Sequence, residues 1–348
     1  MGGRRSRIGL CGLGSIGSAS ARLLLDYRTG FDLVGAVTLQ PDAVGRSLRD
    51  VVGAETPTDV VVGSDLDELL ACEPDLIVLC TGSFLGVVSD DVLKIAGAGV
   101  SVVSPCEELA FPFARDPEFS ARLDQVARSA GATIVGTGVN PGFIFDGLLA
   151  AASGSAWDVL SIRGRRVVDV SGFGQNIHLR LGIGYTEEEF TTGHDNGRIA
   201  GHVGFPESIR LVARRLGILL DEPILETFDP MIAAEDVATP YGGVGAGRTE
   251  GFLQRAVGTV EGRAFIELEL LLHLRPLHAG FATSDSFAIA GTHPVNVEMN
   301  PGMDAIPATS AQLVNSIPAV LRAPAGLLTI TDLPSSTAWT DLSRSMFT

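Results

Sequence analysis

A hexapeptide with three glycines, Gly12-Leu13-Gly14-Ser15-Ile16-Gly17, restricts the first part of this chain more than any other feature. Before it, Ile8-Gly9-Leu10-Cys11 reads as a short buried strand, and after it Ile16, Ala19, Leu23 and Leu24 recur at a helical period up to Asp26. A second strand is predicted over Leu33–Val37, beyond Gly30. The order strand, turn, helix, strand is what a G-x-G-x-x-G segment needs before it means more than a glycine-rich turn. Gly12 then permits the tight turn, Gly14 lets a pyrophosphate approach the backbone, and Gly17 lets helix and strand pack closely. Ser15 and Ile16 open the helix, whose N-terminus offers N–H groups to the anion.

Strand and helix signals go on alternating to about residue 145, as a doubly wound parallel sheet requires. Asp75 to Thr81 is a buried strand whose end delivers Thr81-Gly82-Ser83, and Val100 to Val103 delivers Ser104-Pro105-Cys106-Glu107-Glu108. Asp116-Pro117 starts a helix running to about Ser129, and Ala132 to Gly136 is a strand that delivers Thr137 to Phe143, including Asn140. Ligands of open α/β sheets bind outside the carboxyl ends of the strands, so these polar ends form a candidate rim.

Beyond Asp146 alternating patterns dominate, at Trp157–Arg163, Glu250–Gly258 and Ala264–His273, the last two joined around Glu261-Gly262. Two helices are expected among them, one opened by the capping box Thr186-x-x-Glu189 and one over Pro206–Leu216. The glycine-rich stretch Tyr241–Gly247 is followed by no helix and reads as a mobile loop. A last helix is expected over Ala311–Arg322, kinked or interrupted at Pro318. The fold class is therefore α/β: an N-terminal Rossmann dinucleotide-binding domain plus a mainly antiparallel-sheet α+β substrate domain. Boundaries are expected at 1–147, 148–302 and 303–348, the last segment returning to the first domain.

An enzyme selective for NAD places an acid at the end of the second strand, to bond the ribose hydroxyls. Here Thr38-Leu39-Gln40-Pro41 follows Val37. Thr38 and Gln40 accept a 2′-phosphate without repulsion and Arg46 is within reach in the next loop, so NADP is slightly favoured, with NAD the alternative. The bland reading of Arg46 is a solvated loop cation.

A formal charge of −16 and a pI near 4.7 repel nucleic acid and anionic membranes as partners. No apolar run has the length to span a bilayer, and the arginine-rich start, Met1 to Ser6, is not followed by a signal-peptide core, so a cytoplasmic protein is expected. The four cysteines form no CxxC pair and the six histidines no HExxH spacing, so no metal is expected. Cys106 lies beside the glutamates, but packing accounts for it better than nucleophilic chemistry. The chain has a single lysine, Lys94, in a predicted helix.

Four separated segments resemble the 2,4-diaminopentanoate dehydrogenases and the related native amine dehydrogenases. They are Val102 to Leu109, Gly136 to Phe143, Gly197 to Ser208 and Asn315 to Pro324. The resemblance covers nearly the whole chain. It implies a dihydrodipicolinate-reductase-like architecture, a homodimer formed through the substrate domain, and reversible oxidative deamination of an amine, with the ketone or aldehyde and ammonia on the other side. It also implies substrate-facing roles for Asn140, Phe145, Arg166, Phe173 and His202. Phe145 and Phe173 read equally as core, His202 as a satisfied histidine and Arg166 as an ion-paired residue.

Such a reaction needs a base that takes a proton from ammonium or carbinolamine and whose charge steadies the iminium, and a carboxylate does both. In oxidoreductases acting on alcohols with Glu-Lys-Pro after this strand, the lysine polarises the carbonyl; Cys-Glu-Glu-Leu puts Glu108 in its place. Glu107 is the other candidate, with a cap or ion pair as its plainer reading. A single lysine leaves no room for the lysine pair of glutamate- and leucine-type amino acid dehydrogenases. Arg163, Arg165 and Arg166 are the cations available to a substrate carboxylate, while the lysine-free stretch Gln175–Gly182 favours small neutral ketones or aldehydes. The alternatives are a diaminopentanoate or related amino acid dehydrogenase, an imine reductase, and a nucleotide-binding sensor without turnover.

Overall fold

The structure, a computed structural model, describes residues 4–338; the first three residues of the arginine-rich start and residues 339–348 of the C-terminal segment lie outside it. Two compact units divide the chain, one made of residues up to Gly147 and from Ala305 onward, the other of Leu148–Asp304.

The first unit is a parallel sheet with helices between its strands. Its strands are β1 (Ser6–Cys11), β2 (Phe31–Val37), β3 (Val62–Gly63), β4 (Leu76–Leu79), β5 (Ser101–Ser104) and β6 (Thr133–Gly136). Its helices are α1 (Ser15–Tyr27), α2 (Leu48–Val52), α3 (Leu66–Ala71), α4 (Leu85–Gly97) and α5 (Pro117–Ala130). β4 and β5 are buried along their whole length, the burial that all-parallel sheets show and that near-continuous apolar runs produce. Asp116 caps α5 by accepting the Phe119 N–H at 2.9 Å, and Gly131 ends it in the left-handed conformation.

In the second unit, α6 (Leu148–Ser153), β7 (Ser161–Asp169), α7 (Gln175–Arg180), α8 (Glu187–Asp195) and α9 (Phe205–Leu216) come first. The strands β8 (Leu225–Ile232), β9 (Val237–Thr239), β10 (Gly242–Val244), β11 (Thr249–Val260), β12 (Arg263–His273), β13 (Ser284–Ala290) and β14 (Val295–Met299) follow. Five of these and β7 form a six-stranded sheet ordered β14-β13-β7-β12-β11-β8. Only β7 and β12 pair in parallel within it; the other neighbours are antiparallel. The Thr186–Glu189 capping box that starts α8 is present in both directions.

The chain then re-enters the first unit through α10 (Ala305–Val320) and β15 (Gly326–Thr329). β15 pairs with β6 and completes the seven-stranded order β15-β6-β5-β4-β1-β2-β3, parallel throughout. Ile77, Leu79, Val102, Ile134 and Leu327 from this sheet share one core with Val88, Val92 and Ile95 of α4 and Leu123 of α5.

Four local expectations need correction. The strand expected from Trp157 begins at Ser161 and continues to Asp169, because Trp157 is exposed and stacks edge-on against His293 instead. The glycine-rich stretch at 241–247 is a hairpin arm, with Gly242–Val244 paired to Val237–Thr239; a backbone ladder does not need side chains. α10 begins six residues earlier than expected and runs through Pro318 to end two residues beyond it, at Val320, so the proline falls just before the helix stops. The second unit holds two short helices, α6 and α7, beyond the two expected; at six residues each they carry little periodic signal.

Candidate active site

The turn between β1 and α1 tests whether a dinucleotide fits. Gly12 has φ of +91°, and a Cβ there would stand 2.5 Å from the Cys80 carbonyl oxygen. A Cβ on Gly17 would collide with the Gly12 carbonyl oxygen, so the helix starts directly against the turn. At Gly14, which occupies the N-cap, a Cβ would meet nothing within 4 Å. That open space lies at the start of a helix whose first turn has no acidic residue and no side-chain cap, so the N–H groups of Ser15 and Ile16 remain available to an anion. The residues present therefore fit a pyrophosphate.

Thr38 follows β2 and is buried, its hydroxyl oxygen accepting the Gln40 N–H at 3.3 Å. Arg46 is exposed in the loop beyond, with a guanidinium N–H on the Asp42 carbonyl at 3.4 Å. Neighbouring loops of the sheet are joined at the next strand ends. Thr81, Gly82 and Ser83 connect β4 to α4, and the Ser83 carbonyl accepts the Glu108 N–H at 3.3 Å. Glu107 to Ala110 form one 3-10 turn after β5, in which Glu107 is half-buried and Glu108 buried.

The two oxygens of the Glu108 carboxylate have different partners. Oε2 accepts the N–H of Leu85, the first residue of α4, at 2.7 Å. Oε1 is 3.0 Å from an Arg115 guanidinium nitrogen. The carboxylate thus supplies the negative charge that the N-terminus of α4 lacks in its own sequence. Beneath it, Ser104 Oγ donates to the Leu79 carbonyl at 2.7 Å and accepts the Cys106 N–H at 3.1 Å, tying β5 to β4. Burial, with the two neighbouring glutamates adding, pushes the Cys106 thiol up to about 12, which suits packing and not nucleophilic attack.

Asn140 is half-buried between Val139, whose N–H donates to Thr309 Oγ1 of α10 at 3.2 Å, and a cis bond to Pro141. Phe145, five residues on, has none of its surface exposed.

The remaining candidates belong to the second unit. Arg166 on β7 is buried: its Nε donates to Asp285 Oδ1 at 2.7 Å and a terminal nitrogen donates to the Met303 carbonyl at 3.1 Å. Asp285 Oδ2 in turn accepts the Met303 N–H at 2.7 Å. Phe173 is half-buried in the turn closed by its N–H on the Val170 carbonyl. The His202 ring packs edge-on against Phe205 with centroids 4.9 Å apart. Burial first, and the Arg166 charge second, bring its imidazole down to about 3, so it is neutral at physiological pH. Its backbone is clamped by buried Gln254, which accepts the His202 N–H at 2.9 Å and donates to its carbonyl at 2.8 Å.

Arg115, Leu85, Thr309 and Gln254 did not emerge from the sequence as site residues. Leu85, Thr309 and Gln254 act on partners distant in the chain, while Arg115 stands seven residues after Glu108 and could have been sought as an ion-pair partner for the glutamates.

The profile of the 2,4-diaminopentanoate dehydrogenase C-terminal domain family matches residues 143–348. A 2,4-diaminopentanoate dehydrogenase of Acetoanaerobium sticklandii is 36% identical over 329 residues, spanning 93% of this chain and 92% of that protein. An amine dehydrogenase of Streptomyces virginiae is 26% identical, spanning 96% of this chain and 97% of its own. The solved structure of an amine dehydrogenase from Mycobacterium smegmatis superposes with a TM-score of 0.84 at 27% identity, covering 96% of this chain and 97% of that one.

Proposed function

Since the chain belongs to the 2,4-diaminopentanoate dehydrogenase family, we propose that it is an NAD(P)-dependent amine dehydrogenase with Glu108 as its acid/base group. The observation that carries this reading is the Glu108 carboxylate itself, buried just after β5 and anchored to the first residue of α4.

When bound, the nicotinamide exchanges a hydride with the carbon that bears nitrogen. The protein's own residues do the rest. The N–H groups opening α1 hold the pyrophosphate, and Gly14 leaves it room. In the aminating direction, Glu108 takes a proton from ammonium, giving the neutral amine that adds to the carbonyl carbon, and returns it as water leaves the carbinolamine. Its negative charge then stabilises the iminium. In the deaminating direction the same steps run backwards.

Two findings bear on the substrate, and they pull apart. The relative at 36% identity is named for a diamino acid, whose carboxylate calls for a cation. Yet Arg163 pairs with Glu267 at 3.4 Å, Arg165 with Glu269 at 2.9 Å and Arg166 with Asp285 at 2.7 Å. Each of these three arginines is already paired with a carboxylate, which supports a neutral ketone or aldehyde over a charged amino acid. Thr38 and Arg46 support NADP over NAD.

An amine screen at alkaline pH, with NAD and NADP in parallel and the reduced cofactor read by absorbance, tests the proposal. Turnover of simple alkyl amines, faster than of 2,4-diaminopentanoate and better with NADP, is the expected result. Tight cofactor binding with no turnover across the panel would leave a nucleotide-binding sensor. Reduction of preformed cyclic imines without any use of ammonia would make it an imine reductase.

A further inference from the structure

We propose that Arg115 is a positioning residue, which fixes the plane of the Glu108 carboxylate; the inference rests on Glu108 being the acid/base group. A glutamate's last torsion is broad and has no sharp staggered wells. One hydrogen bond, from the Leu85 N–H to Oε2, therefore pins one oxygen and leaves the other free to swing. The Arg115 guanidinium on Oε1 at 3.0 Å supplies the second anchor, and two anchors on two oxygens define a plane. An ionised carboxylate offers about four acceptor sites, so both anchors together still leave capacity for a substrate proton.

The backbone around Arg115 is built to hold it. Its N–H and that of Asp116 both donate to the Pro112 carbonyl, at 3.1 and 2.9 Å, closing a tight turn. Asp116 then caps α5 through the Phe119 N–H. The arginine is thus held between a closed turn and a capped helix, seven residues after the carboxylate it serves. Exposure divides the pair unequally: the Arg115 side chain is 42% exposed and that of Glu108 8%. The guanidinium keeps much of its hydration while the carboxylate is shielded, so the pair escapes most of the desolvation cost of a fully buried one.

The test is steady-state amine oxidation by Arg115→Met, Arg115→Gln and Arg115→Lys, alone and combined with Glu108→Gln, with cofactor Kd and unfolding midpoint as controls. A misaimed base loses rate and not affinity, so Met and Gln should lower kcat roughly tenfold with KM for the amine within about twofold. Lysine, which restores a positive charge without the planar fork, should recover to within about threefold of the parent. In the Glu108→Gln background the Met change should cost nothing more, because the group it aims is gone. Full kcat in Arg115→Met and Arg115→Gln, beside an inactive Glu108→Gln, overturns the positioning role alone. So does an equal loss in both backgrounds, the mark of a scaffold residue. A fully active Glu108→Gln overturns the acid/base reading, and this inference with it.

Discussion

Each of the two units holds an arginine–carboxylate pair with at least one buried member, and they treat it differently. At the strand ends of the first unit the buried member is the acid, Glu108, held by a backbone N–H and by a guanidinium that reaches water. In the second unit Arg166 and Asp285 are both buried, 4% and 1% exposed in their side chains, and the Met303 backbone satisfies each of them. A pair closed in this way cannot exchange protons readily with solvent or receive a ligand charge without being broken, so it serves to lock β7 to β13. A carboxylate tethered on one side to hydrated arginine keeps a route for protons. Burial of a charge alone does not mark a catalytic group; what matters is whether its partners leave it something to do.

The largest effect should come from breaking the closed pair. Arg166→Met leaves Asp285 buried without its counter-charge, and a loss of about 3–5 kcal/mol is expected in urea denaturation. A loss below about 1 kcal/mol would put this pair on a level with exposed ones and remove the contrast. Next is Glu108→Gln, which keeps an acceptor for the Leu85 N–H but no base. Amine oxidation should fall at least ~100-fold, about 2.7 kcal/mol of barrier, with cofactor Kd retained. Undiminished turnover would show that the open pair has no catalytic part. The smallest effect is expected at Arg163→Met, whose partner Glu267 is 3.4 Å away and whose own side chain is 75% exposed. Its unfolding free energy should move by less than about 1 kcal/mol, and a larger change would mean that the β7–β12 charges work as a network.

The parts of the fold legible in the sequence are those set by neighbours along the chain. The glycine spacing at 12–17 specified a turn because Gly12 needs positive φ and Gly17 needs to lack a side chain. The Thr186–Glu189 box and the Asp116-Pro117 start were readable because a cap bonds within one turn. The strand expected from Trp157 starts only at Ser161, because its alternating buried positions, Ile162, Gly164 and Arg166, are even-numbered and out of phase with Trp157, which is exposed and meets His293. The arm at 242–244 was missed because a ladder made of glycine backbone has no hydrophobic signature.

For the candidate site the same division holds. Residue types and motif order were enough to put two adjacent glutamates after the right strand and to suggest amine chemistry through a family resemblance. They gave a cap or ion pair as the plainer reading of Glu107. Folding brings Leu85 to Glu108 across 23 residues and sets Arg115 beside it, so the cap of α4 and this ion pair fall on Glu108. It likewise paired Arg166 with Asp285 across 119 residues. Short-range sterics and capping are written in the order of the residues. The partner of a charge depends on how strands are ordered in a sheet, and that order exists only once the chain has folded.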